Sequence, residues 1–200
     1  MHPDPVFRHD DRSACEALIT QVGFGMIFAA TPVGPRVAHT PLLTCGDGVV
    51  QFHLSRGNAL TRHIEQGADV LIVVNGPDGY ISPRWYANRD TVPTWNYVTL
   101  ELEGPVTRMD AAGLDAFLHA AIAKHEGKLP GAPWQAEETS EKIWNGLFKG
   151  ITGFNMAVST WRPTFKLSQN KPAEDRARIA DGLAVSGVAA LAAMVRDIAP

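Results

Sequence analysis

Apolar and polar positions along this chain follow two rhythms. After a polar lead (Met1 to Asp11), Leu18, Ile19 and Val22 share one side of a short helix for which Ser13 is a plausible N-cap, and Gly23 and Gly25 punctuate its end. GMIFAA (25–30) then reads as a buried strand, TPVGP (31–35) as a turn and RVAHTPLL (36–43) as a second strand. Pro41 cannot donate to a ladder, so that strand is expected to be irregular or at a sheet edge. CGDG (45–48) signals a hairpin with VVQFHL (49–54) as the return strand, and residues 57–67 read as a short helix stopped by Gly67. ADVLIVVNG (68–76) has the length of a fully buried strand. VTLELEG (98–104) alternates Val98, Leu100 and Leu102 against Thr99, Glu101 and Glu103, as a half-solvated strand does. Helical spacing returns at Asp110, a cap for the stripe Leu114, Phe117, Leu118, Ala121 and Ile122. It continues near 138–149, where Ile143, Trp144, Leu147 and Phe148 are expected on one face. ITGFNMAVSTW (151–161) reads as strand, and the Ala-, Val- and Leu-rich tail (173–198) as one or two helices. The pattern predicts an α+β fold: a mostly antiparallel β-barrel with peripheral helices, in one domain over 1–200 with a helical tail from about 173.

Between the strands at 68–76 and 98–104 lies GPDGYISPRWYANRDTVPTWNY (76–97). It crowds Tyr80, Trp85, Tyr86, Trp95 and Tyr97 together with three prolines and with Ser82, Thr94 and Asn96. Each proline removes a backbone donor and biases the residue before it away from the helical region, so strand, tight turn, strand is the reading left. Two roles stand for it: a wall for a planar ligand, or a core hairpin with aromatic cross-strand pairs.

Composition narrows the function. Hydrophobic content of 45% and charged content of 20% are those of a globular protein, which sets disorder aside. A net charge of -3, with no basic stripe, speaks against direct DNA binding. Cys15 and Cys45 form no ligand spacing and read as reduced thiols, and the polar N-terminus lacks an apolar signal region. No apolar run is long enough to span a bilayer, so the expectation is a cytoplasmic protein away from membranes.

The seven histidines include no HExxH and no Cys/His cluster, so no metal site is expected. GxSxG, P-loop and GxGxxG patterns are absent as well. His39 and His53 fall on the two strands of the predicted hairpin and are expected to be neighbours. After the second comes SRGN (55–58), a cation and small polar groups at a helix start. That arrangement suits a phosphate held by backbone N–H groups and the Arg56 fork. The alternative is that Arg56 is a surface residue and Asn58 a helix cap.

Five blocks together resemble the PaiB family, described as FMN-binding negative transcriptional regulators. They are AHTPLL (38–43), HLSRGN (53–58), GPDGYISPRWY (76–86), VPTWNY (92–97) and KLSQN (166–170), all in order. The chain departs from the family pattern at His2, where a tyrosine is common, and at Ala59 and Leu60, where Pro and Trp are usual. It departs again at Asp78, where His is common.

The resemblance implies the FMN-binding split barrel of the pyridoxamine-phosphate-oxidase type, a homodimer, with FMN as cofactor at the subunit interface. It assigns Ser55, Arg56 and Asn58 to the FMN phosphate. His39, Thr40, Pro41 and Leu42 would line the isoalloxazine ring, with His53 between the two regions. Tyr80, Ser82, Trp85, Trp95, Asn96, Lys166, Ser168, Gln169 and Asn170 would close the pocket from the other subunit. Two functions are compatible with such a site: a transcriptional regulator or flavin/redox sensor, and a flavin-dependent oxidoreductase of the NAD(P)H:FMN reductase type. A haem ligated by His39 or His53 is a third occupant of lower standing.

Overall fold

Glycines in the left-handed region set the turns from which the sheet is built. In the computed structural model, which describes residues 2–198, α1 (Arg12–Val22) ends at Gly23, whose φ is +65°. β1 (Phe24–Thr31) and β2 (Gly34–Thr44) are joined by a two-residue turn closed at Thr31 and Gly34. Gly46, Asp47 and Gly48 all take positive φ between β2 and β3 (Val49–Ser55), which is the hairpin expected at CGDG. Then follow α2 (Ala59–Ile64), β4 (Asp69–Ile81), β5 (Thr94–Arg108), α3 (Ala111–Glu126) and α4 (Glu141–Phe148). The chain closes with β6 (Ile151–Ala157), β7 (Thr160–Lys166), α5 (Ala173–Val185) and α6 (Ala189–Asp197). Met1, Ala199 and Pro200, at the ends of the expected domain, lie outside the described residues.

The strands form one seven-stranded sheet in the order β4-β1-β2-β3-β6-β5-β7, and a further β4–β5 pairing closes six of them into a ring. Ring closure pairs the edge of β4 that an open sheet would leave free, and β7 lies outside the ring beside β5. The chain divides into two compact units. One holds Asn75–Glu101, the chain from Arg162 onward and the described residues up to Cys15; the other holds Glu16–Val74 and Leu102–Trp161.

In the second of these units the alternation of β2, β3, β5 and β6 sends Leu42, Val50, Phe52, Leu54, Leu102, Phe154 and Met156 inward. Phe52 and Phe154 face one another in the β3–β6 register and stack at 5.4 Å. Burying each such side chain contributes about 1.5–3 kcal/mol. On the opposite face Leu43, Met109, Leu114 and Phe117 form a second cluster under α3. Asp110 caps that helix by accepting from Gly113 N, as the pattern predicts. In the first unit, Val98 and Leu100 of β5, Phe165, and Ile179, Leu183, Leu191 and Val195 of the last two helices are buried.

Several local expectations need correction. Pro41 is neither at an edge nor a defect. β2 ladders with β1 through Pro41 and with β3 from Leu42 onward, so the missing N–H falls where the strand exchanges one neighbour for the other. α1 begins at Arg12, and its cap is Asp11, whose carboxylate accepts from the Ser13 backbone and hydroxyl. Those bonds hold the Asp11 carboxyl below its usual range. The segment read as one strand at 151–161 turns at Val158 and Ser159 and supplies parts of both β6 and β7. The apolar face of α4 is divided, with Trp144 and Phe148 partly covered and Ile143 and Leu147 exposed.

Candidate functional site

In the second unit the turn after β3 is built from side-chain-to-backbone bonds. The Thr61 hydroxyl donates to Ser55 O at 2.7 Å, and Asn58 caps α2 by accepting from Leu60 N at 2.9 Å. Arg56 is anchored twice to the start of β6: its backbone N–H donates to Gly150 O at 2.9 Å and its Nε to Ile151 O at 3.1 Å. Among the described residues its terminal guanidinium amines have no other bond, and the side chain is exposed. A Cβ at Gly57 would meet only Ser55 Oγ, at 3.8 Å, so the turn leaves room for a ligand to approach the backbone. Of the two readings of SRGN the geometry shows the surface residue and the cap: Asn58 caps α2, and Arg56 is exposed with its fork outward. α2 has only six residues, so an anion here would rest on Arg56, Ser55 and turn N–H groups more than on a helix dipole.

Thr40 is buried and donates its hydroxyl to His53 O at 2.5 Å, tying β2 to β3 beyond the end of their ladder. The ladder itself stops at Leu42 and Phe52 and does not pair the two histidines. His39 lies opposite Met26 of β1 and is exposed, whereas His53 lies opposite Gly153 of β6, half-buried, with its ring 5.7 Å from Phe117. The His53 Nδ1 is buried without a hydrogen-bond partner among the described residues, and burial pushes its pKa below the ordinary histidine value. A buried ring nitrogen left so is the kind of group that a polar ligand edge or a water satisfies. Pro41 is half-buried. Leu42 is fully buried, with its N–H bonded to Gly23 O and its carbonyl near Lys124 Nζ, so it supports this wall from behind.

The first unit assembles the remaining residues. Lys166 Nζ donates to Thr94 Oγ1 at 2.6 Å, and Asn96 Nδ2 lies 2.8 Å from Ser168 Oγ. Gln169 accepts from Leu167 N and donates to Phe165 O and Val6 O, fastening the chain lead to the end of β7. Burial, and then Lys171, depress the Lys166 pKa. Asn170 is exposed. Tyr80 and Trp95 meet edge to face at 6.2 Å with both rings about half exposed. Ser82 caps the 3₁₀ turn Pro83–Trp85 by accepting from Arg84 N. Tyr80, Ser82, Arg84, Trp85, Arg89 and Ser186 line an open cavity of about 600 Å³. Thr94 and Thr61 were missed as partners. Thr94 sits one alternation before Asn96, as Lys166 does before Ser168, and that matched spacing was the available signal.

Within the second unit the residues suit a flavin nucleotide: a tethered guanidinium and small hydroxyls match the chemistry of a phosphate, and an orphaned ring nitrogen that of a polar ring edge. Comparison with known proteins agrees. Residues 1–160 match the family model described as "Putative FMN-binding domain". The chain is 30% identical over 168 residues to the protease synthase and sporulation protein PAI 2 of Bacillus subtilis, covering 82% of this chain and 80% of that one. Among solved structures, the FAD and heme binding protein from Mycobacterium smegmatis superposes with a TM-score of 0.63 at 15% identity, covering 88% of this chain and 80% of that one. The flavocytochrome Anf3 from Azotobacter vinelandii gives 0.60 at 18%, covering 88% and 78%. Identities that low speak for the shared fold alone, the antiparallel split barrel with peripheral helices. The chain belongs to the PaiB family of FMN-binding split-barrel proteins, and FMN is its cofactor.

Proposed function

We propose that this protein is a homodimeric flavin-responsive regulator or redox sensor of the PaiB type. In this reading Ser55, Arg56 and Asn58 hold the FMN phosphate, and His39, Thr40, Pro41 and Leu42 form the ring wall. His53 offers Nδ1 to the cofactor's polar edge. Tyr80, Ser82, Trp85, Trp95, Asn96, Lys166, Ser168, Gln169 and Asn170 come from the partner copy. The bound group supplies reversible electron uptake, and the protein's residues bind it, orient it and keep water from it.

The observation that carries the sensor reading is the state of His53. It is a half-buried titratable group three positions from Arg56, its pKa is lowered by burial, and among the described residues Nδ1 has no hydrogen-bond partner. A ring held neutral accepts or donates a hydrogen bond but is a poor reservoir of protons for turnover.

Regulation by direct contact with DNA has little chemical support. α5 and α6 are joined by a three-residue turn in which Gly187 has a φ of +85°, the outline of a helix-turn-helix. Yet the exposed positions of α6 include Ala189, Ala190 and Ala193, and its Arg196 is paired with Asp181 at 2.7 Å. Base edges and phosphates are read by Arg, Lys, Asn and Gln, and of these α6 carries Arg196, already engaged by Asp181. A protein partner is the better fit for a regulatory output.

The competing reading is an NAD(P)H-dependent FMN reductase, with exposed His39 as the proton donor. Purified protein is titrated with FMN and sized with and without it, and NADH and NADPH oxidation is followed. A dimer that binds FMN and turns over no faster than free flavin supports the sensor. Turnover that disappears in His39→Ala replaces it with the enzyme, and a monomer at every concentration removes the shared site.

A further inference from the structure

α5 holds the turn that carries Trp85. The indole lies so close to the helix backbone that a Cβ added at Gly182 would fall 2.3 Å from its Cδ2 and Cε2 atoms. Two residues on, Ala87 N–H donates to Asp175 Oδ1 at 2.9 Å. Between them Tyr86 is 6% exposed, with Lys171 Nζ 5.4 Å from its ring centroid. The preceding strand is gripped too: a Cβ at Gly79 would meet Leu183 and Leu191 at 3.0 and 3.1 Å. Ser186, at the end of α5, lines the same cavity as Tyr80, Ser82 and Trp85. Both helices lie beyond residues 1–160, so the family match assigns them no role.

We infer that α5 is a clamp on the Ser82–Ala87 turn, and that Asp175 and Gly182 are positioning residues for flavin binding. The inference rests on the reading that Ser82 and Trp85 touch the cofactor. The turn's own bonds are local, the Ser82 cap and the backbone bonds from Trp85 N–H to Ser82 O and from Tyr86 N–H to Pro83 O, and none of them ties it to the rest of the fold. The charge-assisted bond to Ala87 and the flat contact at Gly182 fix where Ser82 and Trp85 stand before the ligand arrives.

FMN affinity and the visible spectrum of the bound flavin are measured for the full chain, for Asp175→Ala, Asp175→Asn and Gly182→Ala, and for Arg56→Ala. Asp175→Ala is expected to weaken binding about fivefold and to alter the bound-flavin spectrum, because the lost bond leaves the turn free. Asp175→Asn keeps an oxygen that accepts from Ala87 N–H and stays near wild type. Gly182→Ala favours helix, so α5 is retained by far-ultraviolet circular dichroism while the indole is displaced and affinity falls. Wild-type affinity and spectrum in Asp175→Ala and Gly182→Ala, alongside weakened binding in Arg56→Ala, overturn the clamp and leave the flavin site standing. Equal loss in Asp175→Asn and Asp175→Ala also overturns it, since the hydrogen bond would then be irrelevant. Unchanged binding in all variants, Arg56→Ala included, removes the site assignment and the clamp together.

Discussion

Asn96 and Ser168 are buried partners 72 residues apart in sequence, with Asn96 Nδ2 2.8 Å and Asn96 Oδ1 3.2 Å from the serine Oγ. One alternation earlier Thr94 and Lys166 make the same kind of link, so two polar pairs rivet the start of β5 to the end of β7. Ser168 does this at a φ of +64°, a conformation non-glycine residues rarely hold without support from their surroundings.

The pair should therefore behave as a unit. Ser168→Ala leaves a fully buried amide without its partner and keeps the strained backbone, and is expected to cost about 1–3 kcal/mol in urea unfolding. Asn96→Ala should cost a similar amount. The double variant should cost clearly less than the sum, with a coupling of about 0.5–3 kcal/mol. Additive single effects would mean the two side chains stabilise independent features.

Arg56 has a structural tie and a free fork, and its variants separate the two. Arg56→Ala should weaken FMN binding about tenfold or more, the size of a charge-assisted phosphate contact, while Arg56→Lys recovers part of it. The wild-type affinity should fall with added salt and the variant's should fall less, because an exposed cation is screened. An affinity indifferent to Arg56→Ala places the phosphate elsewhere.

Much of the barrel was legible because its turns are written in glycine. Thr31 to Gly34 and Gly46 to Gly48 must turn where they stand, and the runs between them can only be strands. The aromatic segment resolved as strand, 3₁₀ turn, strand, as its prolines require. Pro41 misled because propensity sees a missing donor but not the change of neighbour that makes the donor unnecessary. For the site, SRGN and its cap could be read locally. The links from Thr94 and Asn96 to Lys166 and Ser168, and the grip of α5 on Trp85, join segments far apart in sequence, and no periodicity encodes them.

Gly104 offers a sharper test of the β5–β6 junction. A Cβ there would lie 2.0 Å from the Ala157 carbonyl oxygen, a backbone atom that cannot swing aside, and Ser159 N–H and hydroxyl are both bonded to Glu103 O next door. Gly104→Ala should destabilise by about 3 kcal/mol or fail to fold, through overpacking against backbone. Thermal unfolding checks it, and a melting temperature within a degree or two of wild type would show that the two strands separate freely at that point.

His53 sets a pH dependence whose sign is fixed by its burial. Its folded pKa is held below the ordinary value of 6.5, so below that pH the unfolded chain binds more protons than the native one. Stability contributed by the neutral ring is whole above 6.5, declines as pH falls through 6.5 toward the depressed folded value, and levels off beneath both. His125 is depressed as well, by burial first and then by Lys124 and Lys128, but it is common to wild type and variant and cancels in their difference. Because Nδ1 has no partner among the described residues, His53→Leu removes an unsatisfied buried nitrogen and should be close to neutral, or stabilising, at pH 7.5. Wild type should then lose more stability than His53→Leu between pH 7.5 and pH 5 in urea unfolding of the flavin-free protein. Parallel losses would mean that the native fold admits the imidazolium after all, for instance by α3 and Phe117 moving off the ring, and His53 would regain the proton chemistry that its burial denies it.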